Sequence, residues 1–122
     1  MQVQELMSRR VLTIVASDSC REAVARMARA RVRHLPVLDG AGALVGVVTD
    51  RDLRHHLFTP GVFERLGTVG VDVLLEAVSV AAIMSAPVIS VGPGEELAKA
   101  ACLMAAEKVG SLPVVTRSIS GP

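Results

Sequence analysis

A short polar cluster follows an apolar stretch near the middle of the chain. The residues Gly46-Val47-Val48 run directly into Thr49-Asp50-Arg51-Asp52. A threonine hydroxyl can donate a hydrogen bond, and an aspartate three residues later can accept hydrogen bonds from adjacent hydroxyls of a ribose. If a strand ends and a helix begins at Thr49, the first helical N–H groups also favour an anion such as phosphate. The cluster is therefore a candidate nucleotide-binding site.

The same four residues have a simpler interpretation. Thr-x-x-Asp is a variant of the capping box, in which two side chains satisfy the free N–H groups at a helix start. Taken alone, the tetrapeptide favours capping, because motifs this short often match without the associated function. The residues themselves leave both interpretations open.

The sequence offers little for catalysis or for metal binding. We find no nucleophile with a base and an orienting residue. His55 and His56 would face different sides of a helix, and no further ligands cluster with them. Cys20 and Cys102 lack metal or redox spacing. We therefore expect no enzyme activity, no metal and two reduced thiols, and reduced thiols favour a cytoplasmic protein.

Composition narrows the possible partners. The chain has 122 residues, enough for one compact domain, and is 51% hydrophobic but only 2% aromatic. A net charge of +1 argues against nucleic acid, and the lack of Trp and Tyr removes a stacking platform for single strands. The uncharged stretch 77–94 is broken by prolines, and no apolar leader opens the chain, so we expect neither a membrane span nor a signal peptide.

The chain contains an internal repeat. LMSRRVLTI from Leu6 matches IMSAPVISV from Ile83, and HLPVL from His34 matches SLPVV from Ser111, each at an offset of 77 residues. Matches between these points keep the same offset without insertions. Because chance matches would drift in register, we interpret the chain as a duplication.

Each repeat predicts the element order β-α-β-β-α. In the first repeat we expect a helix capped by a Ser19–Glu22 box and a hairpin through the turn 39–42, followed by the helix that starts near Asp50. The predicted strands are Val11–Ile14, 35–38, Ala43–Val48, Val88–Val91 and Leu112–Val115. The resulting organisation is repeat 1 at 1–58, a linker at 59–79 with a short helix near 71–77, and repeat 2 at 80–122.

The second repeat is shorter than the first. The counterparts of 42–53 would fall at 119–130, but the sequence ends at Pro122. We therefore expect repeat 2 to lack the return strand of its hairpin and its final helix. An unpaired strand edge would promote pairing with another chain, so we expect a homodimer.

These features together resemble a CBS domain pair, the tandem module named after cystathionine β-synthase. The resemblance rests on M-S-x-x-V-x-T/S at 7–13 and 84–90, on L-P-V after His34 and Ser111, and on G-V-V-T-D-R-D-L at 46–53. It implies a mixed α/β fold of tandem repeats related by a pseudo-two-fold axis, with ligand clefts between the repeats. It covers nearly the whole chain except the linker and the last residues.

The resemblance also implies a ligand and the residues that hold it. Many members bind adenosine-containing molecules such as AMP, ADP, ATP, NAD or S-adenosylmethionine. Carried over, Thr49 and Asp52 would hold ribose, and Arg33 with His34 would lie near phosphate. The remaining lining residues would be Val47, Val48, Pro87, Val88, Ile89 and Ser90. The expected function is a non-catalytic regulatory module acting on an effector protein; the alternative is a structural dimerisation module without a ligand.

Overall fold

The computed structural model describes residues 1–9, 11–86 and 89–116. The described residues form a mixed α/β structure with a three-stranded sheet. A short 3-10 turn at Val3–Glu5 precedes strands β1 (Ile14–Val15), β2 (His34–Leu38) and β3 (Leu44–Thr49) and helices α1 (Cys20–Ala30), α2 (Asp50–His56), α3 (Pro60–Ala77), α4 (Val80–Ile83) and α5 (Leu97–Glu107). The chain forms two compact units, each with most of its contacts within itself. The larger unit is 12–88, and the smaller one joins 1–11 to the residues from Ile89 onward.

The sheet of the larger unit contains the expected hairpin. Strand β2 pairs in parallel with β1 and antiparallel with β3, giving the order β1-β2-β3. Asp39 fixes the turn, because its carboxylate accepts the N–H groups of Ala41 and Ala43, each at 2.9 Å. The hairpin places Thr49, the last residue of β3, directly opposite His34, the first residue of β2.

Helix α1 begins as expected but completes its cap differently. The Ser19 hydroxyl accepts the N–H of Glu22 at 3.2 Å. The reciprocal half of the predicted box is wrong: the Glu22 carboxylate binds Arg26 at 2.8 Å. This hydrogen bond and the positive charges of Arg26 and Arg29 lower the pKa of Glu22. The helix ends at Arg31, which adopts the left-handed conformation.

The linker is more helical than the sequence suggested. Helix α3 spans Pro60–Ala77, whereas we expected a short helix near 71–77. Pro60 occupies the first turn, where a backbone N–H would have no partner within the helix, so proline costs nothing there. The Thr59 hydroxyl caps the helix by accepting the N–H of Val62. Gly67 interrupts the helix with φ of 67° and ψ of −179°, a conformation reserved for glycine. The kink divides α3 into two helical pieces.

The core of the larger unit lies between the sheet and its helices. It consists of aliphatic side chains, Met27 and one cysteine, contributed by the strands and by helices α1 to α4. Its most deeply buried members are Ile14, Cys20, Leu35, Val37, Val48 and Val80. Burial alternates along β3, so that Val45, Val47 and Thr49 are half-buried.

The second unit repeats the first at the offset read from the sequence. Ile14 pairs with Val37 in the larger unit, and Val91 pairs with Val114, also in parallel, in the smaller one. Helix α5 likewise reproduces α1, and Lys108 repeats the left-handed ending of Arg31. The two units therefore share a local architecture at residues 77 positions apart.

Each repeat contributes its opening segment to the other repeat's compact unit. The Val3 N–H donates to the carbonyl of Glu95, and the equivalent Val80 N–H donates to the carbonyl of Asp18, both at 2.8 Å. Bridges between Gln2 and Glu96 and between Ser19 and Ser79 repeat the exchange. The compact units therefore have different boundaries from the sequence repeats.

Among the described residues, no helix is both long enough and apolar enough to cross a membrane.

Candidate functional site

The turn between β3 and α2 is a complete capping box. The Thr49 hydroxyl accepts the N–H of Asp52 at 3.1 Å, and Asp52 Oδ2 accepts the N–H of Thr49 at 2.9 Å. Thr49 has extended backbone angles, so the strand continues to the residue where the helix starts. The bond to Oδ2 is charge-assisted, which makes it stronger than one between neutral groups. Both side chains therefore have a structural role, as the simpler interpretation predicted.

The second carboxylate oxygen of Asp52 is less firmly engaged. The Ser85 hydroxyl donates to Asp52 Oδ1 over 3.4 Å, whereas hydroxyl–oxygen hydrogen bonds normally measure about 2.5 to 3.0 Å. Asp52 is half-buried and Ser85 is exposed. Because an ionised carboxylate offers about four lone-pair positions, Oδ1 can still accept hydrogen bonds after the cap has formed.

Strand β3 brings Ser85 to this position through backbone contacts. The Val47 N–H donates to the Ser85 carbonyl at 3.1 Å, and the Ser85 N–H donates to the Val47 carbonyl at 2.9 Å. The neighbouring Gly46 permits this approach, because a Cβ there would lie 2.5 Å from Met84 Sδ and 3.1 Å from the Ser85 carbonyl oxygen. The opening segment of repeat 2 is thus joined to the strand that carries Thr49.

The start of β2 supplies two more of the predicted residues. His34 is half-buried and lies opposite Thr49 on the neighbouring strand. Arg33 is exposed, and its carbonyl accepts the N–H of Asp50 at 3.0 Å. The structure therefore brings Arg33, His34, Thr49 and Asp52 together at the end of the β2–β3 hairpin away from its turn, within the larger unit.

The other predicted lining residues divide into three groups. Val47 is half-buried, while the Val48 side chain lies fully inside the core, which leaves only its backbone for a ligand. Ile89 and Ser90 are half-buried in the smaller unit. Pro87 and Val88 lie outside the described residues.

Sequence reasoning missed Ser85 as a residue of the candidate site. Ser85 belongs to the repeated Met-Ser pair, 7–8 and 84–85, which marked the start of each repeat. That repetition was a usable signal, but it did not reveal that Ser85 faces Asp52 from 33 residues away. The close neighbours of Gly46 are Met84 and the backbone of Ser85 in the same chain.

The rest of the described chain adds no metal cluster. No group of three or more His, Cys, Asp or Glu side chains among the described residues could hold a metal ion. Both cysteines are free; Cys20 is buried and Cys102 is exposed. Burial raises the pKa of the Cys20 thiol to about 11. A thiol with this pKa is a poor nucleophile near neutral pH.

The chain thus has two units of similar local structure, and the larger unit carries the Thr49 hydroxyl and the Asp52 carboxylate at the end of its hairpin. These features are those of a tandem α/β module. The model of the CBS domain matches residues 3–59 and 80–121. The chain therefore belongs to the CBS domain family, as its repeated motifs indicated.

Curated relatives agree with this assignment. A CBS domain-containing protein of Dictyostelium discoideum is 32% identical over 94% of this chain and 78% of its own length. A homoserine O-acetyltransferase of Methanocorpusculum labreanum is 33% identical over 97% of this chain. The chain spans only 21% of that enzyme's length.

Solved structures show the same fold. The CBS domain of a CBS domain-containing membrane protein from Sphaerobacter thermophilus has a TM-score of 0.76 at 22% identity, over 94% of this chain and 77% of that chain. The structure of CBSX2 in complex with AMP has a TM-score of 0.73 at 28% identity, over 93% and 81%. The CBS domain pair of protein MJ0100, in complex with 5′-methylthioadenosine and S-adenosyl-L-methionine, has a TM-score of 0.71 at 23% identity, over 94% and 80%.

Proposed function

We propose that this chain is a regulatory module that binds an adenosine-containing nucleotide through the turn between β3 and α2. The observation that carries the proposal is the state of the Asp52 carboxylate: Oδ2 is committed to the helix cap, while the contact that Oδ1 makes with the described residues is the long one with Ser85. A ribose hydroxyl can donate to Oδ1 without breaking the cap. Capping and ligand binding are therefore compatible in the same residue.

The position of the neighbouring residues supports the same ligand class. His34 and the exposed Arg33 lie beside Thr49, where a guanidinium could pair with a phosphate of the nucleotide. CBSX2, which is 28% identical to this chain, was solved with AMP bound. AMP, ADP, ATP, NAD and S-adenosylmethionine are thus the ligands to test.

In this proposal the module does not catalyse a reaction. Binding changes the population of conformations, and only by the difference in affinity between them. An attached or partner effector protein would read that change. The nucleotide is therefore a signal and is not consumed.

Calorimetric titration with these five adenosine-containing ligands tests the proposal. At least one should bind more tightly than about 1 mM. Asp52→Asn keeps one oxygen for the cap but removes the charge, and should weaken binding at least about tenfold, the expected value for a hydrogen bond to a charged group. Asp50→Asn is the matched control, because Asp50 lies in the same helical turn and pairs with Arg54 at 3.4 Å. Failure of all five ligands to bind would overturn the proposal.

The helix cap itself favours a second candidate, a structural dimerisation module without a ligand. Thr49 and Asp52 satisfy each other's backbone N–H groups, so a structural role alone accounts for both residue types. This candidate predicts a stable dimer by light scattering, no heat with any nucleotide, and a loss of helix content in Asp52→Ala. The nucleotide proposal predicts binding whether or not the dimer forms, so the two readouts distinguish the candidates.

A further inference from the structure

Ser85 lies at the edge of the candidate site without belonging to the set predicted from the sequence. Its hydroxyl is exposed and directed at Asp52 Oδ1. We infer that Ser85 is a second ribose-binding residue, which orients Asp52 in the free protein and binds the same ligand hydroxyl in the complex. This inference rests on the proposed function.

The Ser85 hydroxyl is held in position by the backbone around it. Two hydrogen bonds with Val47, of 2.9 and 3.1 Å, attach Ser85 to β3. Asp52 is fixed independently by its cap with Thr49. The two polar atoms therefore approach each other from two anchored elements, an arrangement that does not need to be ordered when a ligand binds.

The contact between Ser85 and Asp52 is long enough for a ligand hydroxyl to replace it. At 3.4 Å the serine hydroxyl forms at most a weak bond with Oδ1. A ribose hydroxyl has one donor and two acceptor positions. It can donate to Asp52 Oδ1 and at the same time accept from Ser85 Oγ, so that all three groups are satisfied. The ligand would replace one long bond by two of normal length.

The chain provides a matched control for this residue. Ser8 is the repeat counterpart of Ser85, 77 positions earlier, and follows the same Met-Ser pattern. It belongs to the other compact unit and is also exposed. Replacing Ser8 removes the same hydroxyl from the same sequence motif but leaves the contact with Asp52 intact.

Calorimetry with AMP on the full chain tests the inference. Ser85→Ala should weaken AMP binding about three- to tenfold, the value expected for one hydrogen bond. Ser85→Thr, which keeps the hydroxyl, and Ser8→Ala should both stay within about twofold of the wild type. In an Asp52→Asn background, Ser85→Ala should have a smaller effect than in the wild type, because the two side chains bind the same ligand hydroxyl.

The outcomes separate this inference from the proposed function. If the wild type binds AMP and Asp52→Asn weakens binding while Ser85→Ala binds as the wild type does, the inference alone fails. Loss of affinity in both Ser85→Ala and Ser8→Ala, or in Ser85→Thr to the same extent as in Ser85→Ala, would also overturn it. Absence of AMP binding by the wild type would overturn it together with AMP as the ligand, while binding of another nucleotide would preserve the proposed function.

Discussion

Thr49 and Asp52 hold each other's backbone N–H groups across the first turn of α2, at 3.1 and 2.9 Å. We predict that Thr49→Ala lowers the free energy of unfolding by about 1 kcal/mol, the usual cost of losing such a cap. Urea denaturation followed by circular dichroism measures the change. Asp52→Asn should cost less than Asp52→Ala, because the amide oxygen can still accept the Thr49 N–H. Equal losses in the two Asp52 variants would contradict the capping role.

Gly46 should not tolerate a side chain. A Cβ at this position would lie 2.5 Å from Met84 Sδ and 3.1 Å from the backbone oxygen of Ser85. We predict that Gly46→Ala lowers the free energy of unfolding by about 1 to 3 kcal/mol, because the segment joined to Val47 must shift. Thermal and urea denaturation both report this loss.

Gly40 is the matched control for that substitution. It lies in the hairpin turn, where a Cβ would meet no atom within 4 Å. Gly40→Ala should therefore change the free energy of unfolding by less than about 0.5 kcal/mol. A Gly46→Ala variant as stable as Gly40→Ala would show that β3 and the segment 84–86 do not approach as closely as described.

The buried Cys20 thiol should make the protein less stable in alkali. Its pKa is raised by burial from 9.0 to about 11, so above pH 9 the unfolded chain loses a proton that the folded chain retains. The contribution to stability is complete below pH 9 and is lost as the pH rises toward 11. The expected loss by pH 11 is on the order of 2 kcal/mol, since each pKa unit corresponds to about 1.4 kcal/mol.

Urea denaturation between pH 8 and pH 11 measures this effect, and the second cysteine supplies its control. Cys102 is exposed on α5, so Cys102→Ala should show the same alkaline loss as the wild type. Cys20→Ala should be less stable at pH 8, because it leaves a small cavity, but should lose less stability at higher pH. An identical alkaline loss in Cys20→Ala would contradict the assignment.

The local structure could be predicted from the sequence because local residue patterns determine it. The offset of 77 residues reappears in the strand pairs Ile14–Val37 and Val91–Val114. The hairpin and the start of α2 follow from turn and capping residues that lie close together in the chain. Helix α3 was underestimated because the glycines at 61, 67 and 70 lower its helix propensity by about 1 kcal/mol each.

The exchange of opening segments could not be predicted from the repeat alone. Asp18 precedes α1, and its repeat counterpart Glu95 precedes α5. The sequence therefore does not show which of the two pairs with Val80. The contact between Ser85 and Asp52 depends on that exchange, because it brings the start of repeat 2 onto β3. A candidate site could thus be predicted around Thr49 and Asp52, while one of its side chains could not.

Comparing AMP with its 2′,3′-dideoxy analogue by calorimetry, on the wild type and on Asp52→Asn, tests the central claim most directly. If Asp52 receives the ribose hydroxyls, their removal should weaken binding to the wild type at least about tenfold, the value for hydrogen bonds to a charged group. The same removal should have much less effect on Asp52→Asn. Equal affinity of the wild type for both nucleotides would show that the carboxylate at position 52 only caps its helix.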